Sequence, residues 1–148
     1  MTLAHLENLV RTGKLKREPP SQTEFDGLVG SGEARPADAK NTELYLASRF
    51  DLVYNASHAL AVAALRWHGF RSDSRYLVFQ TLPDTLGLGP QVWRVLDKGH
   101  KARNLSEYEG HLGIDERLVD SMIEAADALR GAVLTLGPVH EGGQPAHE

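Results

Sequence analysis

Residues 42–68, TELYLASRFDLVYNASHALAVAALRWH, carry the strongest helical pattern in this chain of 148 residues. Apolar side chains recur there at spacings of three and four, the repeat that places them on one face of an α-helix. At about 1.5 Å per residue, a helix of this length extends about 40 Å. We therefore expect it to be the central member of a helical bundle. A second row of small side chains lets other helices approach closely: Ala47, Ala56, Ala59 and Ala63.

Two shorter helices are expected before this segment. One covers residues 2–12, and the spacing of Ser21 and Glu24 is that of a capping box, which begins a second helix. The second helix contains the glycines of residues 30–32 and Pro36, which weaken or kink a helix. We expect it to be the least regular helix of the chain.

Further helices are expected after the central one. They are predicted over residues 73–82 with a cap at Ser72 or Asp73, from Pro90 onward, and after a cap at Asp115. No strand pattern with a partner is found. The sequence thus predicts an all-α fold, an antiparallel bundle of four to five helices, in one domain over residues 1–136. The tail 137–148 is rich in glycine and proline and is expected to be disordered.

The composition restricts the class of protein. Hydrophobic residues make up 41% and charged residues 24% of the chain, which is ordinary for a globular domain. No apolar run approaches the about 18 residues of a membrane span, and the N-terminus lacks the apolar core of a secretory signal. The chain contains no cysteine. We therefore expect a cytoplasmic protein without a membrane partner.

The charge distribution is uneven. The formal net charge of −4 argues against general affinity for nucleic acid. A local basic surface that contacts RNA remains one interpretation of the middle of the chain, and a solvated face is the other. The basic residues concerned are Arg66, Arg71, Arg75, Arg94, Lys98, Lys101 and Arg103.

Most other chemistry is not supported by the spacing of residues. None of the seven histidines pairs with another on one helical turn beside a carboxylate, as helical zinc ligands do. We predict no metal and no cofactor. Ser57 and His58 are neighbours and point about 100° apart on a helix, so they cannot form a nucleophile and its base. His58 and His68 are interpreted as residues of the helix surface or core edge.

The predicted helix within residues 89–111, GPQVWRVLDKGHKARNLSEYEGH, has a charged residue, Arg103, at an unexpected position. Val92, Trp93 and Leu96 define the apolar face of the predicted helix, and Arg103 falls in the middle of that face. A buried unpaired charge costs several kcal/mol. Arg103 must therefore be paired, lie at an interface, or line a wet cleft.

The residues around Arg103 could cleave RNA without a metal, a reaction that needs a base, a cation and an acid. Arg103 could supply the cation, and His100 or His111 the base or the acid, because histidine titrates near neutral pH. Alternatively, Arg103 pairs with Glu107, and the polar residues near it only end the helix. The residues alone leave both interpretations open. The group consists of His100, Arg103, Asn104, Glu107, Tyr108 and His111.

The order of the predicted helices resembles that of the HEPN family, a family of small all-α domains. It consists of the segment FDLVYNASHALAVAALRWHGFR, then a short helix, then a helix that ends in Arg103–Asn104 before an aromatic residue. The resemblance covers roughly residues 40–130. It implies a homodimer in which the motif arginines line a cleft across the two-fold axis. It also implies a toxin–antitoxin or RNA-processing role. Non-catalytic relatives are thought to act as partners of small nucleotidyltransferases or as RNA-binding accessory domains.

The chain departs from the family's ribonuclease motif at one position. Those relatives carry arginine, a polar residue, and then a histidine four to six positions beyond the arginine. Here Tyr108 follows Arg103 after four intervening residues, and His111 follows after seven. Tyrosine, with a free pKa of about 10, is a poor base at neutral pH. Enzymatic activity is therefore left open, as is nucleotide transfer onto Tyr108.

Three hypotheses follow. The first is a HEPN-like homodimer that binds or cleaves RNA at a cleft containing Arg103 and Asn104, with His100, Tyr108 and His111 as further candidate catalytic residues. The second is a non-catalytic helical interaction module that partners a nucleotidyltransferase. In the third, Arg103 makes only a structural ion pair.

Overall fold

The computed structural model describes residues 2–109 and 114–141, with the side chains of residues 4–105 and 114–141. The predicted all-α bundle is confirmed, because helices account for most of the chain. None of the helices described is long and apolar enough to cross a membrane. The helices are α1 (Thr2–Arg11), α2 (Gln22–Ala39), α3 (Leu46–Trp67), α4 (Arg75–Gln80), α5 (Leu82–Leu86), α6 (Pro90–Glu109) and α7 (Glu116–Leu134).

Helix α3 is the centre of the bundle. Helices α2, α4, α5, α6 and α7 all contact it. Its large apolar side chains, such as Phe50 and Leu60, are fully buried, and so are Ala56 and Ala63 of the small-residue row. Burial of each large apolar side chain stabilises the fold by roughly 1.5–3 kcal/mol. The helix is therefore buried on more than one face, as its two rows of side chains predict.

Helix α2 is more regular than the sequence indicates. It runs unbroken from Gln22 to Ala39, through the glycines and Pro36. Ser21 caps it, because its Oγ accepts a hydrogen bond from the amide of Glu24. The reason for Gly32 is packing: it is buried against Leu60 of α3, where a side chain would meet the leucine. Contact with α3 thus holds a helix that its own composition weakens.

Three element boundaries differ from those predicted. Helix α3 begins at Leu46 rather than near residue 42. The helix expected over residues 73–82 is two short helices, since α4 ends at Gln80 and α5 begins at Leu82. Pro83 lies in the first turn of α5, where its missing N–H costs no hydrogen bond. The cap of α4 is Ser74 rather than Ser72 or Asp73.

A small sheet was not predicted. Strands β1 (Lys16–Arg17) and β2 (Phe70–Arg71) pair antiparallel. With two residues in each strand, neither forms an alternating pattern long enough to recognise from the sequence.

The expectation of disorder from residue 137 does not hold for residues 137–141. The indole N–H of Trp67 donates to the carbonyl of Gly137 at 3.1 Å. The amide of Val139 donates to the side-chain carbonyl of Gln22 at 2.8 Å. These bonds fix the segment against the start of α2 and the end of α3. Residues 142–148 lie outside the part of the chain that the structure describes.

The end of α3 carries a buried guanidinium group. Arg66 is 2% exposed and donates to the Glu24 carboxylate at 3.0 Å. It also donates to the backbone carbonyls of Glu18, at 2.9 Å, and Pro19, at 2.7 Å. Arg71 bridges the carboxylates of Glu18 and Glu24, at 2.8 Å from each. This network ties the segment before α2 to the end of α3.

The network makes stability depend on pH. Partial burial of Glu24 opposes its ionisation, but hydrogen bonds from Arg71 and Arg66 outweigh this effect and hold the Glu24 pKa below its usual value. A carboxyl group with a lowered folded-state pKa stabilises the fold above its unfolded-state pKa, and this contribution is lost as pH falls through the folded-state value. We expect Glu24→Gln to lower the unfolding free energy at pH 7 by about 1 kcal/mol.

Urea denaturation at pH 7 and at pH 3 measures this effect. The difference between Glu24→Gln and the unsubstituted chain should shrink at pH 3. The matched control is Glu43→Gln, at an exposed position without an ion pair among the described residues. An equal loss at both pH values would contradict the role of the Glu24 charge.

Two glycines of α2 give a second prediction. A Cβ at Gly32 would lie 2.7 Å from Leu60 Cδ2, whereas a Cβ at exposed Gly30 meets nothing within 4 Å. Overpacking costs about 1–3 kcal/mol, and replacing glycine by alanine in a helix gains up to about 1 kcal/mol. We expect Gly32→Ala to destabilise the chain and Gly30→Ala to stabilise it. Thermal unfolding of both variants tests this, and the same sign for both would contradict the close contact.

Candidate functional site

Tyr54 of α3 is the residue on which three helices converge. Its side chain is 1% exposed, and its hydroxyl lies 3.0 Å from Nδ1 of His100 on α6. His58, one turn further along α3, lies nearly parallel to the Tyr54 ring with centroids 6.4 Å apart. Phe79 of α4 meets the same ring edge-on at 5.9 Å. Helices α3, α4 and α6 therefore meet around one aromatic ring.

His100 is the polar group that α6 directs toward this ring. It is 7% exposed, and its imidazole lies nearly parallel to Tyr54 at 6.3 Å. Its Nε2 is 3.3 Å from the side-chain nitrogen of Asn104, an exposed residue one turn later. With that nitrogen as donor, Nε2 carries the lone pair and Nδ1 donates its proton to the Tyr54 hydroxyl. The Nε2 edge of the imidazole thus faces the side on which exposed Asn104 lies.

Two arginines lie against the Tyr54 ring. The Cζ of Arg103 is 5.2 Å from the ring centroid and the Cζ of Arg75, at the start of α4, is 5.9 Å from it. Both distances are within the range of cation–π attraction. This contact lies on the inner side of α6, where half-buried Arg103 faces α3. The residues gathered here, which we call the Tyr54 cluster, are Tyr54, His58, Arg75, Phe79, His100, Arg103 and Asn104.

The electrostatics of the cluster are visible at His58. Burial, the largest cause, and the electrostatic effect of the neighbouring Arg75, His100 and Arg103 together lower the pKa of His58 to about 4. His58 is therefore neutral at neutral pH. Both arginines that act on it, Arg75 and Arg103, are cationic, so their charge at the cluster favours an anion.

The structure brings together three of the residues singled out from the sequence. His100, Arg103 and Asn104 lie in one group, where His100 contacts Asn104 directly and Arg103 shares the Tyr54 ring with His100. Tyr108 belongs to α6, but its side chain lies outside the described residues, and so does the whole of His111. The suggested pair of Arg103 with Glu107 also falls there.

Besides Phe79, an apolar residue of α4, three members of the cluster were not identified from the sequence. Tyr54 was assigned to the core stripe of the central helix, and His58 to its surface or core edge. Arg75 was noted only as one of many basic residues. The available signal was the spacing of Tyr54 and His58, which places both on one face of α3. Arg75 is near them only through the tertiary fold.

No group of three or more histidine, aspartate and glutamate side chains that could hold a metal ion occurs among the residues described. Comparison with protein-family models, with curated proteins and with solved structures finds no match to this chain.

The titration of His58 tests the electrostatics of the cluster. We expect its NMR midpoint at about pH 4, with the resonance assigned by its absence in His58→Gln. Arg75→Met should raise the midpoint, because it removes a nearby positive charge. The midpoint should stay below the usual 6.5, because burial persists.

The control is Arg94→Met, which removes an arginine that lies over Trp93 instead. It should leave the midpoint of His58 unchanged. A midpoint near 6.5 in the unsubstituted protein would contradict the described burial and charge.

Proposed function

We propose that this chain is a HEPN-like protein that binds RNA at the Tyr54 cluster and cleaves it, with its own side chains supplying base, acid and cation. One observation carries the proposal: two histidines and two arginines converge on a single buried tyrosine ring.

The cationic groups suit a phosphodiester. A guanidinium group offers a planar fork of donors that matches phosphate oxygens. Arg75 is exposed, Arg103 is half-buried, and the Asn104 amide beside them is exposed as well. A phosphate at this position gains from the same positive charges that lower the pKa of His58. The site therefore favours an anion over a neutral ligand.

The histidines favour RNA over other phosphodiesters. Histidines act on a phosphodiester as a general base and a general acid and need a nucleophile to activate. The 2′-hydroxyl of RNA is such a nucleophile and belongs to the substrate itself. Lys98 and Lys101, exposed on α6, add positive charge near the cluster, and this favours a polyanion.

The proposed reaction uses the two histidines in opposite roles. Nε2 of His100 takes the proton of the 2′-hydroxyl, and O2′ attacks the phosphorus. Arg103 stabilises the charge that develops on the phosphoryl oxygens. The bond from phosphorus to O5′ breaks, and protonated His58 gives its proton to O5′. The products are a 2′,3′-cyclic phosphate and a 5′-hydroxyl. Tyr54 positions His100 through Nδ1.

Substrate binding prepares His58 for its role. In the free protein its pKa is about 4, first through burial and then through the charges of its neighbours, among them Arg75 and Arg103. A bound phosphate offsets those positive charges and raises the pKa of His58, so the protonated fraction of His58 is larger when RNA is present. His100 replaces, as base, the histidine that the family motif places near Tyr108.

The resemblance to the HEPN family adds a homodimer in which two copies of Arg103 share one cleft. Leu105, two residues after Arg103, is a large apolar residue with 47% of its surface exposed. An exposed apolar residue beside the polar site offers a contact for a second copy of this chain in the dimer interface. Sedimentation of the purified chain at several concentrations measures this association.

RNA cleavage and binding test the proposal together. Arg103→Ala should reduce cleavage about 100-fold or more and weaken RNA binding. His100→Gln should abolish cleavage with binding retained, because the phosphate contacts remain. Arg130→Ala, which removes an arginine paired only loosely with Glu33 at 3.9 Å, should leave both unchanged. Gel analysis of labelled RNA and fluorescence anisotropy provide the measurements, with thermal unfolding as the check on folding.

The outcomes separate the hypotheses. Binding without cleavage that still depends on Arg103 refutes the catalytic part and leaves an RNA-binding protein. If the protein neither binds nor cleaves RNA, the proposal fails. A partner role, with a nucleotidyltransferase as the candidate partner, then becomes the leading hypothesis.

A further inference from the structure

A groove between α4 and α6 adjoins the Tyr54 cluster. Its volume is about 420 Å³, within the range of about 300–1,000 Å³ typical of small-molecule sites. Tyr76 of α4 and Trp93 of α6 supply aromatic walls. The Tyr76 ring also lies 5.9 Å from the His100 ring, so the groove begins where the cluster ends.

The rim of the groove is basic. Arg94, Lys98 and Lys101 line it, and all three side chains are exposed. Tyr76 is itself 42% exposed, so its ring is open to solvent at the groove. An aromatic platform inside a basic groove is the arrangement that binds single-stranded nucleic acid, with bases on the rings and phosphates on the cations.

The floor of the groove contains an acceptor without a donor. Asp97 lines the groove, and its Oδ2 lies 3.3 Å from Nζ of Lys101. Its Oδ1 is buried and has no hydrogen-bond partner among the described residues. A buried acceptor left unpaired costs free energy. Oδ2 is the oxygen that a ligand in the groove can reach, because Oδ1 has no exposed surface. A ligand that brings an N–H donor to Oδ2 adds a hydrogen bond to a largely buried carboxylate whose one close partner among the described residues is Lys101.

We infer that this groove is a nucleobase subsite for single-stranded RNA and that it selects a base with an amino group, such as cytosine, over uracil. The base stacks on Tyr76 and Trp93, and the Asp97 carboxylate accepts from its amino group. Cytosine offers the N4 amino group where uracil offers the O4 acceptor. Uracil O4 would instead face a carboxylate oxygen, acceptor against acceptor.

This inference rests on the proposed function, because the phosphate next to the bound base is the one at Arg103. It goes beyond that function in assigning a base preference to residues outside the Tyr54 cluster. The cluster itself contacts the phosphate and the 2′-hydroxyl, which are the same in every nucleotide, so it does not distinguish RNA sequences.

Anisotropy with labelled 2′-O-methyl octamers of cytidine and uridine tests the groove, since these RNAs lack the free 2′-hydroxyl and stay intact. The protein should bind the cytidine octamer about tenfold more tightly or better, the lower end of the value of one hydrogen bond to a charged acceptor. Asp97→Asn should bring the ratio close to one. Tyr76→Leu should weaken both octamers about tenfold through lost stacking, and Tyr45→Leu, at a tyrosine 86% exposed elsewhere, should change neither.

A second experiment changes the RNA instead of the protein, so its result cannot come from an effect of a substitution on folding. An octamer of N4,N4-dimethylcytidine keeps the ring and loses both donors, so it should bind no better than the uridine octamer. Equal binding of all three octamers overturns the base preference. If binding depends on Arg103 and not on Tyr76 or Asp97, the groove is refuted and the phosphate site stands. If the unsubstituted protein binds no octamer, both proposals fail.

Discussion

The buried hydroxyl group of Tyr54 needs a hydrogen-bond partner, and a second helix supplies it. Helix α3 is buried on more than one face, and a hydroxyl group inside it costs free energy unless it is paired. His100 of α6 meets that demand at 3.0 Å. The same bond fixes α6 against α3 and brings Arg103 and Asn104 to the ring of Tyr54. Core packing and candidate chemistry thus depend on one interaction, and a change that relaxes it affects both.

Much of the fold could be predicted because its signals are local. The spacing of apolar residues predicts α3 and α7, the caps at Ser21 and Asp115 lie where the sequence places them, and Arg103 lies on the inner side of its helix. Helix α2 could not be assessed this way. Its glycines and proline weaken it in isolation, and the contact of Gly32 with Leu60 that compensates is a property of the tertiary structure.

The candidate site was only partly predictable for a related reason. His100 and Arg103 stood out because a polar group on an apolar face needs an explanation. Tyr54 needed none, since an aromatic residue fits a core stripe, and its partner is 46 positions away. The segment 137–141 shows the same limit. Its glycine and proline content indicates disorder, but Trp67 and Gln22, distant in sequence, supply the hydrogen bonds that hold it.

Helix α3 carries two charged assemblies, one around Tyr54 and one around Arg66. Twelve residues separate them along the helix, which corresponds to about 18 Å. The charges that lower the pKa of His58 belong to the assembly around Tyr54, and those that lower the pKa of Glu24 belong to the assembly around Arg66. A substitution near Tyr54 can therefore change the pKa of His58 and leave the pKa of Glu24, which joins the segment before α2 to the end of α3, unchanged. A substitution in the Arg66 network can therefore alter stability without changing the charges around Tyr54.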